Sequence, residues 1–474
     1  MERFPIIGTV KPVASSDIRT SSIGLGFEKL DRDVFDPSKA YDKVAAAGVK
    51  WARIQSGWAR TEKVKGQYDF AWLDDVVDNL IRRGLRPWLC LCYGNGLYDE
   101  NAAKVFGAAG VPPIFTEEQR KAWHDYVVAT VRHYHGRIDH YEIWNEPDGS
   151  WCWKHGPNGT EYGNFMIATA KAIREADPAA KTIGGVICLR ESSPWFHEAL
   201  ATGAGPYLDF VSYHAYDFDE RVHDDRIDAL QALCNRFNPK IRLIQGETGT
   251  QSRSDGAGAN SGQAWTALKQ AKFLARLLIH DLGHEIPLTS YFSCMDMIEA
   301  LNGTVDNKAS YMDYGYFGVL GADFDENGKA TGEYTPKPSY RALQTIAAIF
   351  RDGVEHGPVP VQFYYEGCGR LGWVSGQCNA EPTPPELMRF GFNHPNGAVG
   401  CAYWKSANLL TETYEATVGF IVTSVPEKVQ LINLLDGTIH AVPEKFIDRT
   451  KYGMTLHHLP VVDYPLLLTF GDFV

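Results

Sequence analysis

The chain has no run of about 18 uninterrupted apolar residues, so no membrane-spanning helix is expected. Its opening stretch, MERFPIIGTVKPVASSDIRT, lacks an apolar core of signal-peptide length. Basic residues are outnumbered, 46 Lys and Arg against 58 Asp and Glu, which leaves a formal net charge of −12. Without a basic excess, neither nucleic acid nor an anionic membrane surface is an expected partner. The nine cysteines are scattered and show no C-x-x-C. Cys90 and Cys92 share one strand face and are poorly placed to pair. Free buried thiols in a reducing compartment follow, and so a cytoplasmic location. His133 and His135 are two apart and share no helix face, a poor ligand set, and no metal or cofactor is expected. No Gly-rich phosphate fingerprint follows the first strand. The Gly-rich stretch SDGAGANSG, residues 254–262, lacks the P-loop Lys-Ser/Thr and reads as a mobile pocket wall.

What is present is an ordinary globular balance over 474 residues, 44% hydrophobic and 22% charged, enough for a sizeable core. Aromatics are plentiful, with 12 Trp, 23 Tyr and 23 Phe. Most of them fill a core of this size, and flat rings also stack on the C–H faces of sugars.

Short apolar runs alternate with amphipathic segments. The runs are 21–28, 49–55, 86–93, 139–146, 181–189, 208–216, 241–247 and 286–296. Helical patterns follow them, among them FAWLDDVVDNLIRRG, a segment near 117–135, TEYGNFMIATAKAIREAD, one near 194–203, DDRIDALQALCNRF and QAWTALKQAKFLARLLIHDLG. A long loop and the helix KPSYRALQTIAAIF close the series. This alternation predicts an α/β fold, a (β/α)8 barrel over residues 21–354. Continuously apolar strands suit a parallel sheet buried on both faces. From 355 to 474 short strands separated by turns predict a C-terminal β-sandwich, with EPTPPE (381–386) as a stiff connection. Residues 1–20 fit no barrel element and are expected to add a strand to that β domain.

Two glutamates stand at predicted strand ends: Glu146 in DHYEIWNEPDGSW and Glu247 in IRLIQGETG. About three βα units separate them, so both reach the C-terminal mouth of the barrel, where chemistry sits on this architecture. Two carboxyls across a pocket are the machinery for cleaving a glycosidic bond: one protonates the leaving oxygen, the other attacks the anomeric carbon. The flanking rings Trp144 and Trp151 are expected to raise the pKa of Glu146 and keep it protonated.

IWNEPD and LIQGETG resemble the acid/base and nucleophile segments of clan A retaining glycoside hydrolases. Within that clan the pattern is most similar to family 39, the β-xylosidase family. The likeness covers most of residues 22–350, including WNEPDGSWCW, DFVSYHAY, SYFSCMDMIE and YGYFGVL. It implies Glu146 as acid/base and Glu247 as nucleophile, with a covalent glycosyl-enzyme intermediate. It also implies that Asn145 bonds the sugar 2-OH, that Arg53 holds Glu247 ionised or forms a salt bridge inside the barrel, and that His214 binds sugar or orients the nucleophile with Tyr216. Glu28 and Asp296 would grip hydroxyls, with helix capping as the alternative. Trp58, Tyr93, Asn95, Trp151 and Trp153 lie on expected mouth loops. Gly246-Glu247-Thr248 departs from the family's T-E-W setting, and Phe292, Cys294 and Met295 stand where strand eight usually carries Trp. Sugar preference is therefore not carried over. The expected activity is exo-acting β-glycoside hydrolysis on short oligosaccharides. An endo-acting glycanase or an α-L-arabinofuranosidase of the same clan is the alternative among enzymes, and a catalytically silent sugar-binding barrel is the alternative of another class.

Overall fold

The computed structural model describes residues 4–188, 193–217, 219–366, 370–371, 387–406, 409, 414–424, 426 and 428–474. Eight parallel strands close into a barrel: Ile23–Gly26, Trp51–Gln55, Arg86–Leu91, His140–Ile143, Lys181–Cys188, Phe210–His214, Arg242–Thr248 and Thr289–Tyr291, strands one to eight. Strand one pairs with both strand two and strand eight, which closes the ring. The main helices around it are Tyr41–Ala46, Ala71–Arg82, Glu117–His133, Gly159–Ala176, Ser193–Ala199, Val222–Phe237, Ala267–Gly283 and Pro338–Ile349. Their apolar residues fall on one face; Ala71–Arg82 buries Leu73, Val76, Val77 and Leu80. Local signals start them: Thr116 and Gln119 form a reciprocal capping box, and Asn158 and Thr266 cap their helices.

The barrel interior is layered. Trp51, Trp88, Ile183, Ile244 and Leu288 form an apolar plug, separate from the outer core. Side chains alternate along a strand, so two residues on from Trp51 comes Arg53, and two on from that Gln55. Arg53 meets Glu142 of strand four above the plug, and Gln55 reaches the pocket at the mouth. Strand two is therefore graded from apolar floor to polar mouth.

Strands four and eight are shorter than their apolar runs. Strand four ends at Ile143 and strand eight at Tyr291, so Glu146 and Asp296 lie in loops beyond their strands. The segment after strand eight is not a plain loop: Met297–Ile298 pairs with Tyr314–Gly315, and Leu320–Phe324 with Ala330–Pro336. The helix expected near 194–203 ends at Ala199 and loosens into a π-turn over Leu200–Ala204, where Gly203 takes φ 95°.

The C-terminal strands make a sandwich. One sheet orders Ile6–Thr9, Thr438–Ala441, Val429–Asn433, Leu466–Phe470, Val399–Lys405, Leu387–Asn393 and Glu355–His356. The second contains Val361–Tyr365, Tyr414–Val422, Met454–Val461 and Ile447–Arg449, with Arg370–Leu371 beside Tyr414–Val422. The N-terminal strand is antiparallel to Thr438–Ala441. The EPTPPE segment lies outside the described residues, as do Cys368 and Cys378. The other seven cysteines are free thiols. Buried charge joins sandwich to barrel: Lys272 pairs with Asp463, and Glu220, paired with Arg276 within the barrel, accepts from Trp404 Nε1 of the sandwich at 2.6 Å. Among the described residues no helix is long and apolar enough to cross a membrane.

Candidate active site

Beyond strand four the chain turns sharply, with Trp144 at φ 67° and Glu146 at φ 44°. Both are non-glycine residues in the left-handed region, a conformation that surrounding structure must hold. Trp144 supplies that hold: it is fully buried among Tyr93, Trp123, Trp153 and Phe165, and its Nε1 donates to Cys152 O at 2.8 Å. Glu146 N donates to Val186 O of strand five at 2.9 Å. The carboxyl is thus aimed over the barrel mouth and is only 7% exposed. On strand seven the pairing with strand six shifts register between Tyr213 and His214, which sets His214 opposite Glu247.

The two glutamates meet at His214. Its Nδ1 lies 3.0 Å from Glu146 Oε1 and 3.6 Å from Glu247 Oε2, and the donor atoms of the three residues lie within 4.8 Å of one another. Glu247 accepts from Tyr216 Oη at 2.7 Å and from Arg53 Nη1. Arg53 reaches further: Nε to Glu142 at 2.6 Å, Nη1 to Glu28 at 3.2 Å and Nη2 to Asn145 Oδ1 at 2.9 Å. One guanidinium therefore orients Glu247 and Asn145 together, and it is also the buried salt bridge that sequence offered as its other role.

Electrostatics correct one expectation. Burial raises the Glu146 carboxyl, but hydrogen bonds from His214 and Trp151 outweigh burial and hold it below its ordinary value. Burial lowers the His214 imidazole, yet Glu247 and Glu146 raise it above its usual range. The Trp151 ring acts through its N–H donor rather than as an apolar wall. Glu28 behaves oppositely. Burial first, then the Glu247 charge, pushes its carboxyl up to about 8 against the pull of Arg53.

The pocket above these groups holds about 360 Å³, at the small end of the roughly 300–1,000 Å³ typical of ligand sites. Glu146, Glu247, Asn145, His214, Tyr216, Trp151 and Tyr93 line it, and Gly258, Ala259 and Asn260 of the Gly-rich segment form part of its wall. Six residues named from sequence do not, Arg53 and Glu28 among them. Asn95 folds its own loop, bonding Glu62 O and Leu97 N. Asp296 is engaged by Lys337 and the Gly318 amide. Trp58 stacks between Tyr98 and Tyr126, and Trp153 sits in the Trp144 cluster. Glu28 lies beneath the pocket on Arg53. Sequence reasoning passed over Lys29, Gln55, Cys188, Glu299, Asn302 and Phe317, which do line it. Only Gln55, two residues beyond Arg53 on the same strand face, carried a local signal.

Loops are tied to one another around the mouth. Phe106 stacks on Tyr311 at 4.0 Å and its amide bonds Gly303 O, tying the loop after strand three to the one after strand eight. Lys154, after strand four, donates to Gly110 O through its amide and to Leu301 O through Nζ.

A cation would be disfavoured between Glu146, His214 and Glu247, because the Arg53 charge already faces Glu247. The arrangement can instead donate a proton from one side and attack from the other.

The chain is 30% identical over 322 residues to a β-xylosidase of Geobacillus stearothermophilus, a match covering 61% of this chain and 59% of that protein. Its fold resembles a family 39 glycoside hydrolase from the gut symbiont Bacteroides cellulosilyticus WH2, with TM-score 0.64 and 16% identity over 97% of this chain and 82% of the other. It also resembles a monomeric β-xylosidase from Caulobacter crescentus CB15, with TM-score 0.60 and 17% identity over 98% of each chain. The family model of glycosyl hydrolases family 39 matches residues 44–354, the stretch that carries Asn145, Glu146, His214 and Glu247 on a closed eight-stranded barrel. By that match the chain belongs to glycosyl hydrolases family 39.

Proposed function

We propose that the protein is a retaining glycoside hydrolase that removes a terminal sugar from short β-linked oligosaccharides, in the manner of a β-xylosidase. The observation that carries this reading is the placement of Glu146 and Glu247 over one pocket, with oxygens within 4.8 Å and a shared histidine. Retaining enzymes set their carboxyl groups about 5–5.5 Å apart, whereas inverting ones need roughly 6.5–9.5 Å to admit a water.

In the first step a Glu247 oxygen attacks the anomeric carbon as the bond to the leaving oxygen breaks. Glu146 passes a proton to that oxygen, drawing on the proton it shares with His214. In the second step Glu146 takes a proton from water, the water oxygen bonds to the anomeric carbon, and Glu247 leaves as carboxylate. Asn145, fixed by Arg53, faces the sugar beside Glu146. The small pocket and its tied loops favour action at a chain end. The proposed relationship to β-xylosidases rests on family membership and on the Geobacillus stearothermophilus relative.

A panel of aryl β-glycosides, followed by proton NMR of the first-formed sugar, tests this. The expected result is hydrolysis led by the β-xyloside with β-sugar appearing first. First-formed α-sugar from a β-glycoside would sink the retaining reading, and rapid mid-chain cutting of polymer would sink the exo reading.

A further inference from the structure

Outside the pocket, three side chains converge on the barrel's flank. His280 and His284 stand four residues apart at the end of the helix Ala267–Gly283, with ring centroids 4.3 Å apart. Asp224 comes from the neighbouring helix Val222–Phe237. Its Oδ1 lies 2.5 Å from His280 Nε2 and 3.1 Å from His284 Nε2. Both imidazoles thus aim the same nitrogen at one carboxylate oxygen, and the three donor atoms lie within 4.8 Å of one another.

We propose that Asp224, His280 and His284 form a zinc site that ties these two helices together.

The donor set points to zinc. Two imidazoles and one carboxylate suit it, whereas calcium and magnesium take oxygen ligands. Three protein ligands leave a fourth position for water. The surroundings supply the outer shell such sites use. Asp281 Oδ1 lies 3.4 Å from His280 Nδ1, and Asp281 Oδ2 is itself fixed by Thr289 Oγ1 at 2.8 Å. A carboxylate behind an imidazole sets the tautomer that leaves Nε2 free to bind metal. An entry path exists: the His280 side chain is buried, but those of His284 and Asp224 are 29% and 42% exposed. The exposed Asp224 can swing outward to the roughly 2.0–2.2 Å bonds zinc makes. Zinc takes the place of the proton between His280 and Asp224, and that proton passes to solvent. Phe390 of the sandwich packs against both rings, at 6.0 Å from His280 and 5.5 Å from His284. The ion would therefore stabilise the helix pair at the junction with the sandwich. None of the three residues lines the catalytic pocket. The sequence signal is H-x-x-x-H in IHDLGH.

The test uses the full chain, stripped with chelator and titrated with zinc chloride by calorimetry and by thermal melting. One saturable zinc per chain is expected, with a rise in Tm. Both should vanish in His284→Gln and in Asp224→Asn, and both should persist in Glu146→Gln. No saturable binding at micromolar zinc overturns the proposal. So does binding retained by His284→Gln and Asp224→Asn, or lost in Glu146→Gln, which would place zinc between the catalytic glutamates. Zinc-edge X-ray absorption on the unaltered protein needs no variant to fold: two imidazole scatterers support the site, and one or none refutes it.

Discussion

At the scale of single residues, we propose that the contact between His214 and Glu146 governs how the acid is loaded. His214 Nδ1 lies 3.0 Å from Glu146 Oε1, and the charges of Glu247 and Glu146 hold its imidazole above its usual range against burial. The activity should fall on the alkaline side as that raised His214 loses its proton. In His214→Asn the proton must reside on Glu146 alone, so the alkaline limb of kcat/KM should report Glu146 instead of His214 and should shift. A limb that stays in place would show that His214 does not hold the proton. Glu28 makes a second pH claim. Its carboxyl titrates near 4.5 in the unfolded chain and at about 8 when folded. Between those values only the folded protein keeps the proton, so stability falls as pH rises through this window. Urea unfolding of Glu28→Gln should show a flatter dependence from pH 4.5 to 8 than the unaltered chain. An identical slope would remove Glu28 as the cause. Neither behaviour is written locally in the sequence. Both arise from residues on different strands that share Arg53 or His214, and the Trp rings beside Glu146 suggested the wrong sign.

At the scale of elements, strand seven must deliver Glu247 without crowding the floor beneath it. A Cβ added at Gly246 would meet Ser212 Oγ at 2.2 Å and His214 Nε2 at 3.0 Å. Gly246→Ala should therefore destabilise by about 1–3 kcal/mol, the usual range for overpacking, and lower kcat more than it raises KM. Adding Ser212→Gly should recover part of both losses, as denaturant melts and kinetics would show. An inert Gly246→Ala would mean that the strand shifts freely. The barrel was legible because apolar runs alternate with capped amphipathic helices. The strand ends were not, since Trp144 continues the apolar run in sequence yet turns out of the strand in space. Asn95 and Asp296 show the same limit: their partners, Glu62 and Lys337, are set by how loops fold back. The small ribbons after strand eight have no long pattern to announce them.

At the scale of the whole molecule, the sandwich is locked to the barrel by buried charge. Glu220 accepts from Arg276 of the barrel and from Trp404 and Ser406 of the sandwich. Removing one partner of such a buried pair costs about 3–5 kcal/mol. Glu220→Ala should lower Tm clearly, while Glu326→Ala on the exposed surface should not, and equal melting of the two variants would refute the lock. The closed barrel, the tied loops and this lock together hold two carboxylates at fixed spacing, and on the proposed mechanism Glu247 bonds covalently to the sugar. The most direct measurement is peptide mass mapping of Glu146→Ala after incubation with a dinitrophenyl β-xyloside. Loss of the acid lowers turnover of natural oligosaccharides by roughly 10²–10⁴ but spares attack on this activated substrate, so the intermediate accumulates. One pentosyl mass is expected on the peptide LIQGETG at Glu247, released by azide as the β-glycosyl azide; a label on another residue, or azide rescue of Glu247→Ala with retained configuration, would exclude Glu247 as the nucleophile.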